Sequence, residues 1–300
     1  MKKLIVFAFV IISCQFSYGQ HEPIYTQYSM NQAMFNPAYA SVNNVMNFSF
    51  MSRKQWVGLE GAPFTNTLLA SSSMFNGKGG AGIIMHSNAY GVSTNLDLFA
   101  QAAYSLKLGL KAQLSIGIQG GYMINENDFS KIEEAATDPL FGDVVENSSL
   151  TNVGMGIFFS TDNFYLGLSI PKYIEYTSSE TASELFTFKR HYYGSIGAVL
   201  PMGLLKLKTT GLIVYSEFDT SYELAASLLM AETIWAGLFT RNLNAFGAMG
   251  MFEITDRLKM GLTIELPSTE LVTNQYGSYE VFVSWEIAAF RNQVFKRRYF

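Results

Sequence analysis

The stretch LDLFAQAAYSLKL, residues 96–108, alternates between apolar side chains and mostly small or polar ones. The apolar set is Leu96, Leu98, Ala100, Ala102, Tyr104, Leu106 and Leu108, and the other set includes Asp97, Gln101, Ser105 and Lys107. A repeat of two residues predicts a β-strand. One apolar face and one small or polar face, in a strand this long, are typical of a strand between lipid and a polar lumen.

Similar alternation recurs along most of the chain. Clear examples are AQLSIGIQGGY at 112–122, NVGMGIFF at 152–159 and YEVFVSWEI at 279–287. With the turn-like sequences between them, the pattern predicts about fourteen antiparallel strands, an even number as expected for a bacterial single-chain barrel. The predicted ranges are 45–53, 63–73, 79–88, 94–107, 111–124, 150–160, 163–170, 187–199, 205–215, 220–230, 232–241, 244–253, 257–266 and 278–288.

The composition of the 300-residue chain is typical of a membrane protein. Charged residues make up 15% and aromatic residues another 15%, whereas an average soluble domain has about 25% charged residues. Beyond the first twenty residues no apolar run is long enough for a transmembrane helix. Because backbone polar groups in lipid must all be paired, we expect an all-β fold, a transmembrane outer-membrane β-barrel surrounded by outer-membrane lipids. The net charge of -4 argues against a nucleic-acid partner.

The N-terminus has the features of an export signal. Two lysines precede the apolar run Leu4–Ile12, and the small residues Ser17 and Gly19 suit cleavage after Gly19. The sequence therefore predicts a cleaved signal peptide, residues 1–19, and a mature chain without cysteine. The alternative is a lipoprotein signal ending at Cys14, which would then be lipidated.

The lengths of the predicted connections indicate the orientation of the barrel. Connections after even-numbered strands are short, and several after odd-numbered strands are long. Outer-membrane barrels place their short turns in the periplasm. The chain is therefore divided into the signal peptide (1–19), a periplasmic N-terminal segment (20–44) that plugs the lumen or docks on a partner, the barrel (45–288) and a basic periplasmic tail (289–300).

Two charged regions lie outside the predicted strands. Residues 125–149 contain seven acidic side chains and one lysine; a solvated surface loop is the simpler interpretation, because the ligand spacing of a calcium loop is absent. The tail AFRNQVFKRRYF, residues 289–300, has four basic and no acidic residues. It is either an ordinary soluble tail or a docking strip for a periplasmic partner or an anionic surface.

No recognisable catalytic, cofactor-binding or metal-binding motif is present. The three histidines are far apart and lack the spacing of metal ligands: His21, His86 and His191. The glycine-rich GKGGAG at 77–82 is not a phosphate-binding loop. We therefore expect a protein that is not an enzyme and needs no cofactor; a membrane enzyme would require a clustered Ser/His/acid set. The tryptophans are expected in interfacial girdles: Trp56, Trp235 and Trp285.

The uncharged segment YTQYSMNQAMFNPAYAS, residues 25–41, fits neither a strand nor a helix period. Together with SRKQWVGLEGAPFTNTLLASS at 52–72, it resembles the start of mature proteins of the PorP/SprF family. The likeness continues in GAGIIMHSNAYG, FYLGLSIPKY, YEVFVSWEI and the terminal RRYF. The resemblance implies an outer-membrane barrel of the Bacteroidetes type IX secretion system that helps to secrete, receive or anchor particular cell-surface cargo.

The resemblance also implies partners. These are secreted, adhesin-like or gliding-related cargo with a type B-like C-terminal domain, and periplasmic type IX secretion components or peptidoglycan-associated proteins. The candidate partner-binding residues are Tyr28, Asn36, Pro37 and Tyr39 in the N-terminal segment, Arg53, Gln55 and Trp56 at the far end of the first strand, and Arg297 and Arg298 in the tail.

The alternative function is an outer-membrane channel or transporter for small solutes. A lumen lined by Ser, Gln, Gly and Tyr would suit such solutes, and the strand number resembles that of fatty-acid transporters. A fourteen-stranded barrel is narrow beside porins of 16–18 strands. The size therefore favours a receptor or anchor over a conduit for folded cargo.

Overall fold

A computed structural model describes residues 24–43, 45–109, 111–131, 145–176, 188–268, 275–288 and 299. The predicted signal peptide, with Cys14, lies outside these residues. Strands β1 to β14 are, in chain order, Met46–Lys54, Phe64–Met74, Gly79–Tyr90, Ser93–Leu108, Ala112–Asp128, Val145–Ser160, Phe164–Ile170, Tyr192–Met202, Leu205–Tyr215, Thr220–Met230, Ile234–Arg241, Ala245–Glu253, Leu258–Pro267 and Ser278–Ile287.

The fourteen strands form one closed antiparallel barrel. Each strand pairs with its neighbours in the chain, and β1 completes the circle by pairing with β14. The closing register runs from Met46 opposite Ile287 to Lys54 opposite Tyr279. Closure leaves no unpaired strand edge, which is the requirement for a sheet in lipid. The predicted all-β barrel is confirmed. The described part of the chain has no helix long and apolar enough to cross a membrane.

The stretch 96–108 lies in β4 with the predicted faces. Leu98 and Tyr104 are each 50% exposed on the outside of the barrel, whereas Asp97 and Gln101 are buried inside it. Successive side chains of a strand point to opposite faces, so a slip of one residue would exchange lipid and lumen faces throughout. The apolar set therefore fixes which face meets lipid.

Several strands are longer or shorter than the alternation predicted. β5 extends to Asp128 and β6 begins at Val145, so both ends of the predicted acidic loop are paired strands. β8 begins at Tyr192 instead of residue 187. Where a strand extends beyond lipid, both of its faces meet water and alternation is no longer required, although backbone pairing continues. Loop boundaries taken from alternation are therefore unreliable at the end of the barrel where β5 ends and β6 begins.

The two ends of the barrel differ in their connections. The six connections after β2, β4, β6, β8, β10 and β12 are short, and the end that carries them is called the short-turn end below. The opposite, long-loop end carries the longer connections 55–63, 129–144, 171–191 and 268–277, and short ones after β3, β9 and β11. The orientation was predicted from long connections at one end, and four of the seven connections at the long-loop end are in fact long.

Residues 24–43, called the plug below, lie inside the barrel. They form three short 3₁₀ helices: Thr26–Met30, Gln32–Met34 and Pro37–Ser41. The second and third helices begin where the side chains of Asn31 and Asn36 accept hydrogen bonds from backbone amides two residues on. Pro37 occupies the first helical position, where its missing N–H is not needed. These local caps explain why the segment follows neither a strand nor an α-helix period.

The plug runs along the lumen from the long-loop half to the short-turn end. The carbonyl oxygen of Ile24 accepts a hydrogen bond of 3.1 Å from Arg241, the last residue of β11. At the other end, the hydroxyl oxygens of Ser41 and Ser105 are 2.6 Å apart. The segment was expected to plug the lumen or to dock on a partner; residues 24–43 lie within the barrel, where the polar lumen wall supplies partners for the side-chain amides. The arrangement is that of a plug.

Candidate functional site

The plug backbone rests directly on glycines of the lumen wall. A Cβ atom added at Gly117 of β5 would lie 2.3 Å from the amide nitrogen of Ala38, and one at Gly80 of β3 would lie 2.3 Å from the carbonyl oxygen of Ala40. Ordinary van der Waals contact begins near 3.4 Å. A side chain at either position would therefore push the plug away from the wall.

Asn36 fastens the middle of the plug to two strands. Its side chain is fully buried, and Nδ2 donates to the carbonyl oxygens of Ile157 in β6 and Leu168 in β7, at 3.1 and 3.4 Å. Its Oδ1 accepts the backbone N–H of Ala38 at 3.1 Å. Both ends of the amide thus have partners. Asn36 was predicted to bind a partner, and in this structure it binds the barrel wall.

Wall side chains supply donors to plug carbonyl groups. Gln101 Nε2 donates to the carbonyl oxygen of Ala33 at 2.7 Å. Lys208 Nζ, which is buried, donates to the carbonyl oxygen of Ser29 at 3.0 Å. A buried carbonyl group without a donor would destabilise the inserted plug, and the polar lumen face of the strands provides these donors.

The other plug residues predicted as partner contacts are also buried. The ring of Tyr39 meets that of Phe158 edge to face, with centroids 5.2 Å apart. Tyr28 packs in the same manner against Phe35 at 5.9 Å. Pro37 lies beside Gly117 and is likewise buried. Contact of these residues with an external partner stays a prediction.

Five charged side chains form a buried group in the long-loop half of the lumen, called the charge cluster below: Arg53, Glu223, Arg241, Glu265 and Glu280. Arg53 pairs with Glu265 at 2.9 Å and with Glu280 at 3.0 Å. Arg241 pairs with Glu223 at 2.7 Å and with Glu265 at 2.9 Å. Two guanidinium groups thus face three carboxylates, a formal sum of -1. Buried charge requires compensation, so the cluster needs donors beyond its two arginines.

The first turn of the plug provides these donors. The carboxylate of Glu280 accepts the backbone N–H groups of Thr26 at 3.1 Å and Gln27 at 2.9 Å. The Thr26 hydroxyl donates to Glu223 at 3.2 Å. Sequence alternation places each acidic residue on a polar face, but it does not show that strands far apart in the chain bring them together. The cluster was therefore missed by sequence reasoning.

Arg53 lies in this cluster and not at the outer surface. It was predicted to contact cargo, but it is 1% exposed. Alternation along β1 turns its side chain into the lumen, where both guanidinium Nη atoms are paired with carboxylates. In this structure its side chain therefore faces the lumen and not the outer surface, and its contact with cargo stays a prediction.

Residues 55–58 and 275–278 form a small structure at the long-loop end, called the loop cap below. Two backbone hydrogen bonds, of 2.8 and 2.7 Å, join Val57 to the loop that precedes β14. The amide of Trp56 donates to the hydroxyl of Ser278 at 3.2 Å. The cap thus continues the β1–β14 pairing past the ends of both strands.

The loop cap carries two of the predicted partner-binding residues. Gln55 and Trp56 are partly exposed there, and Trp56 has a left-handed backbone with φ of 46°. Beside them Tyr276 is 75% exposed, a residue that the sequence did not single out. Tyrosine is one of the residue types enriched among those that dominate binding energy in protein interfaces.

The tryptophans of β11 and β14 lie on opposite faces. Trp285 is 52% exposed on the outside, in agreement with the predicted girdle position. Trp235 is 3% exposed and packs in the lumen with Tyr25 and Met51. The predicted girdle position of Trp235 is wrong, because the apolar lumen cluster and not lipid surrounds it.

A cavity of about 80 Å³ remains between the plug and the wall in the long-loop half, and its lining includes His86, Asp97 and Lys172. His86 Nδ1 is 2.7 Å from the hydroxyl of Thr67, which is 3.0 Å from the hydroxyl of Tyr25. The volume is well below the roughly 300 Å³ of a typical drug-sized ligand site. Within the described ranges, no group of three His, Cys, Asp or Glu residues is placed to hold a metal ion.

Tyr299 of the tail contacts the barrel. The ring of Tyr299 meets that of Trp235 at a centroid distance of 6.3 Å, and Lys206 Nζ lies 4.9 Å from the centre of the Tyr299 ring. Arg297 and Arg298 lie outside the described residues. Their binding to a periplasmic partner stays a prediction.

Solved structures with a similar fold include a channel and a transporter. The CymD monoaromatic hydrocarbon channel is 11% identical, with a TM-score of 0.56 over 92% of this chain and 96% of that chain. The Ralstonia pickettii toluene transporter TbuX is 8% identical, with a TM-score of 0.53 over 88% of this chain and 94% of that chain. At these identities the likeness shows the fold alone. No curated protein gives a match.

A family model described as "Type IX secretion system membrane protein PorP/SprF" matches residues 17–285. The match spans the plug, the five residues of the charge cluster, the loop cap and all strands except the last two residues of β14. The predicted family is confirmed, and with the closed barrel it gives an outer-membrane location. The chain belongs to the PorP/SprF family of type IX secretion system membrane proteins.

Proposed function

We propose that this protein serves the type IX secretion system as a receptor or anchor for particular cell-surface cargo, and that the cargo does not pass through its lumen. The observation that carries the proposal is the occupied lumen. The plug extends from Arg241 in the long-loop half to Ser105 near the short-turn end. A folded cargo domain has no room beside it.

The loop cap is the proposed cargo contact. Outer-membrane barrels direct their long loops outward, so the cap would face the cell exterior. Gln55, Trp56 and Tyr276 would meet the cargo there. In this proposal the cargo is adhesin-like or gliding-related and carries a type B-like C-terminal domain.

The short-turn end would face the periplasm. Periplasmic type IX components or peptidoglycan-associated proteins are the proposed partners on that side, and the basic tail with Arg297 and Arg298 is their proposed contact. We propose no catalytic step and no cofactor for either face. Support for this comes from the sequence, which carries no catalytic motif.

Deletion of the gene followed by proteomics of the cell surface tests the cargo role. The expected result is the loss of one or a few large surface proteins while general secretion continues. Loss of no surface protein, or of all secreted proteins, would overturn the proposal.

A matched pair of variants tests the loop cap. Tyr276→Ala removes an exposed aromatic ring from the cap, and we expect less cargo at the cell surface with an unchanged amount of barrel. Phe218→Ala is the control, because Phe218 is an exposed aromatic, 41% accessible, in another connection at the same end. Equal retention of cargo by both variants would exclude the cap as the contact.

A channel for small solutes is the second candidate function. It is favoured by the cavity beside the plug and by the fold shared with the CymD and TbuX proteins. Swelling of liposomes that contain the purified protein measures small-solute uptake. Rapid uptake by the unmodified protein, with normal surface cargo in the deletion strain, would favour this function over the receptor.

A further inference from the structure

The plug contains no charged residue, yet its first turn lies against the most highly charged part of the lumen. We propose that the plug is a displaceable gate and that the charge cluster is its latch. In the latched state the first turn of the plug completes the cluster. Displacement of that turn opens a path for water, small ions and small polar solutes along the lumen.

The charge balance of the cluster supports the latch. Without the plug, three carboxylates share two guanidinium groups. With the plug in place, Glu280 gains two backbone N–H donors from Thr26 and Gln27, and Glu223 gains the Thr26 hydroxyl. Hydrogen bonds to an ionised acceptor are roughly twice as strong as neutral ones. The hydrogen bonds from the plug to these carboxylates of the wall are therefore gathered at the N-terminal end of the plug.

Beyond the charge cluster, the plug is held by neutral hydrogen bonds, by the ammonium group of Lys208 and by apolar packing. Asn31 Nδ2 donates to Ser49 at 2.9 Å, and Gln101 donates to the carbonyl oxygen of Ala33 at 2.7 Å. Neutral hydrogen bonds exchanged for bonds to water have a small net effect on free energy. The wall beneath the plug combines polar side chains and glycines with apolar clusters, so displacement of the whole plug would also expose apolar surface to water. The latch therefore controls the first turn, whereas apolar packing holds the rest of the plug in the lumen.

The latch also lies directly under the loop cap. Arg53 and Glu280 are register partners across the β1–β14 seam. The same seam ends in the cap, where Trp56 donates to Ser278. A partner that shifts the cap would act on the Arg53–Glu280 pair through two or three residues of strand. The role of the loop cap as a trigger rests on the proposed function, whereas the gate itself does not depend on it.

Ion conductance of the purified full-length protein in planar lipid bilayers tests the gate. Glu280→Gln keeps the shape of the side chain and removes the charge that holds Thr26 and Gln27. We expect the conducting fraction to rise about tenfold or more, the factor that corresponds to a loss of about 1.4 kcal/mol. Glu286→Gln is the matched control on the same strand, because Glu286 pairs with Lys259 at 3.1 Å near the short-turn end.

A second variant leaves the barrel wall intact. Thr26→Pro removes both the N–H that binds Glu280 and the hydroxyl that binds Glu223. Proline is tolerated at the first position of a helix, and Tyr25, with φ of -88° and ψ of 131°, already has the backbone required before proline. We expect the same rise in conductance. If Glu280→Gln does not assemble, this variant decides the question.

Hydrogen exchange of the plug amides provides an independent readout. Peptides from residues 24–43 should exchange faster in Glu280→Gln and Thr26→Pro than in the wild type and in Glu286→Gln. Folded Thr26→Pro protein that conducts and exchanges like the wild type would overturn the proposal. Equal opening in Glu286→Gln would overturn it as well, because that pair makes no hydrogen bond to the plug in the part of the chain that the structure describes.

Discussion

Gly117→Ala is the sharpest test of how the plug is seated. The added Cβ atom would lie 2.3 Å from the amide nitrogen of Ala38 and 2.4 Å from the carbonyl carbon of Pro37. To reach an ordinary contact of about 3.4 Å, the plug must retreat by about 1 Å. Overpacking of this kind costs about 1–3 kcal/mol. The expected result is a folded barrel that is destabilised by that amount, with a loosened plug.

Gly120 on the same strand provides the matched control. A Cβ atom there would have Val153 as its nearest neighbour, at 3.9 Å, an ordinary contact. Replacing glycine by alanine at an unstrained strand position favours folding by roughly 0.5–1 kcal/mol. Gly120→Ala should therefore be as stable as the wild type or slightly more stable.

Guanidinium unfolding in detergent micelles, followed by tryptophan fluorescence, measures the difference between the two variants. Trp235 lies in the lumen and reports on the plug side of the wall. Hydrogen exchange of the plug amides shows whether the plug has moved. If Gly117→Ala and Gly120→Ala unfold at the same denaturant concentration and protect the plug amides equally, the plug backbone does not rest on Gly117.

Three further substitutions have defined outcomes. Asn36→Ala leaves two strand carbonyl groups without their donor; a loss of about 1–3 kcal/mol is expected in the same unfolding assay, and an unchanged midpoint would contradict the anchoring role. Trp235→Ala should cost about 3–5 kcal/mol because the ring is buried in the lumen, whereas Trp285→Ala on the lipid face should cost clearly less; equal losses would contradict the inward position. Tyr299→Ala removes the ring that lies beside Lys206, so the tail should be cleaved faster by protease added to permeabilised cells, and an unchanged rate would show that this contact does not hold it.

The barrel was predictable because its signal is local. Alternation in stretches such as 96–108 identifies a strand and its lipid face without knowledge of any other strand. The scarcity of charge and the absence of a long apolar run then leave a closed barrel as the structure that pairs every backbone group. Strand limits at the long-loop end were less predictable, because alternation stops where lipid stops.

The site was predictable only in part. The sequence marked residues 25–41 as unusual and named Asn36 within them, but neutral amides and aromatic rings suit burial in a lumen and docking on a partner equally well. Trp235 carried the same ambiguity, since a tryptophan in a strand suits both an interfacial girdle and a packed lumen.

By itself, the sequence determined that the chain forms a barrel of about fourteen strands, which faces lie in lipid, and which segment is not a strand, because each of these depends on residues close together in the chain. Only the tertiary structure decided where that segment lies and which charges meet. Arg53 and Glu280 are 227 positions apart, and they become neighbours because the first and last strands close the barrel. The plug is then held by donors and acceptors that no stretch of the chain contains on its own.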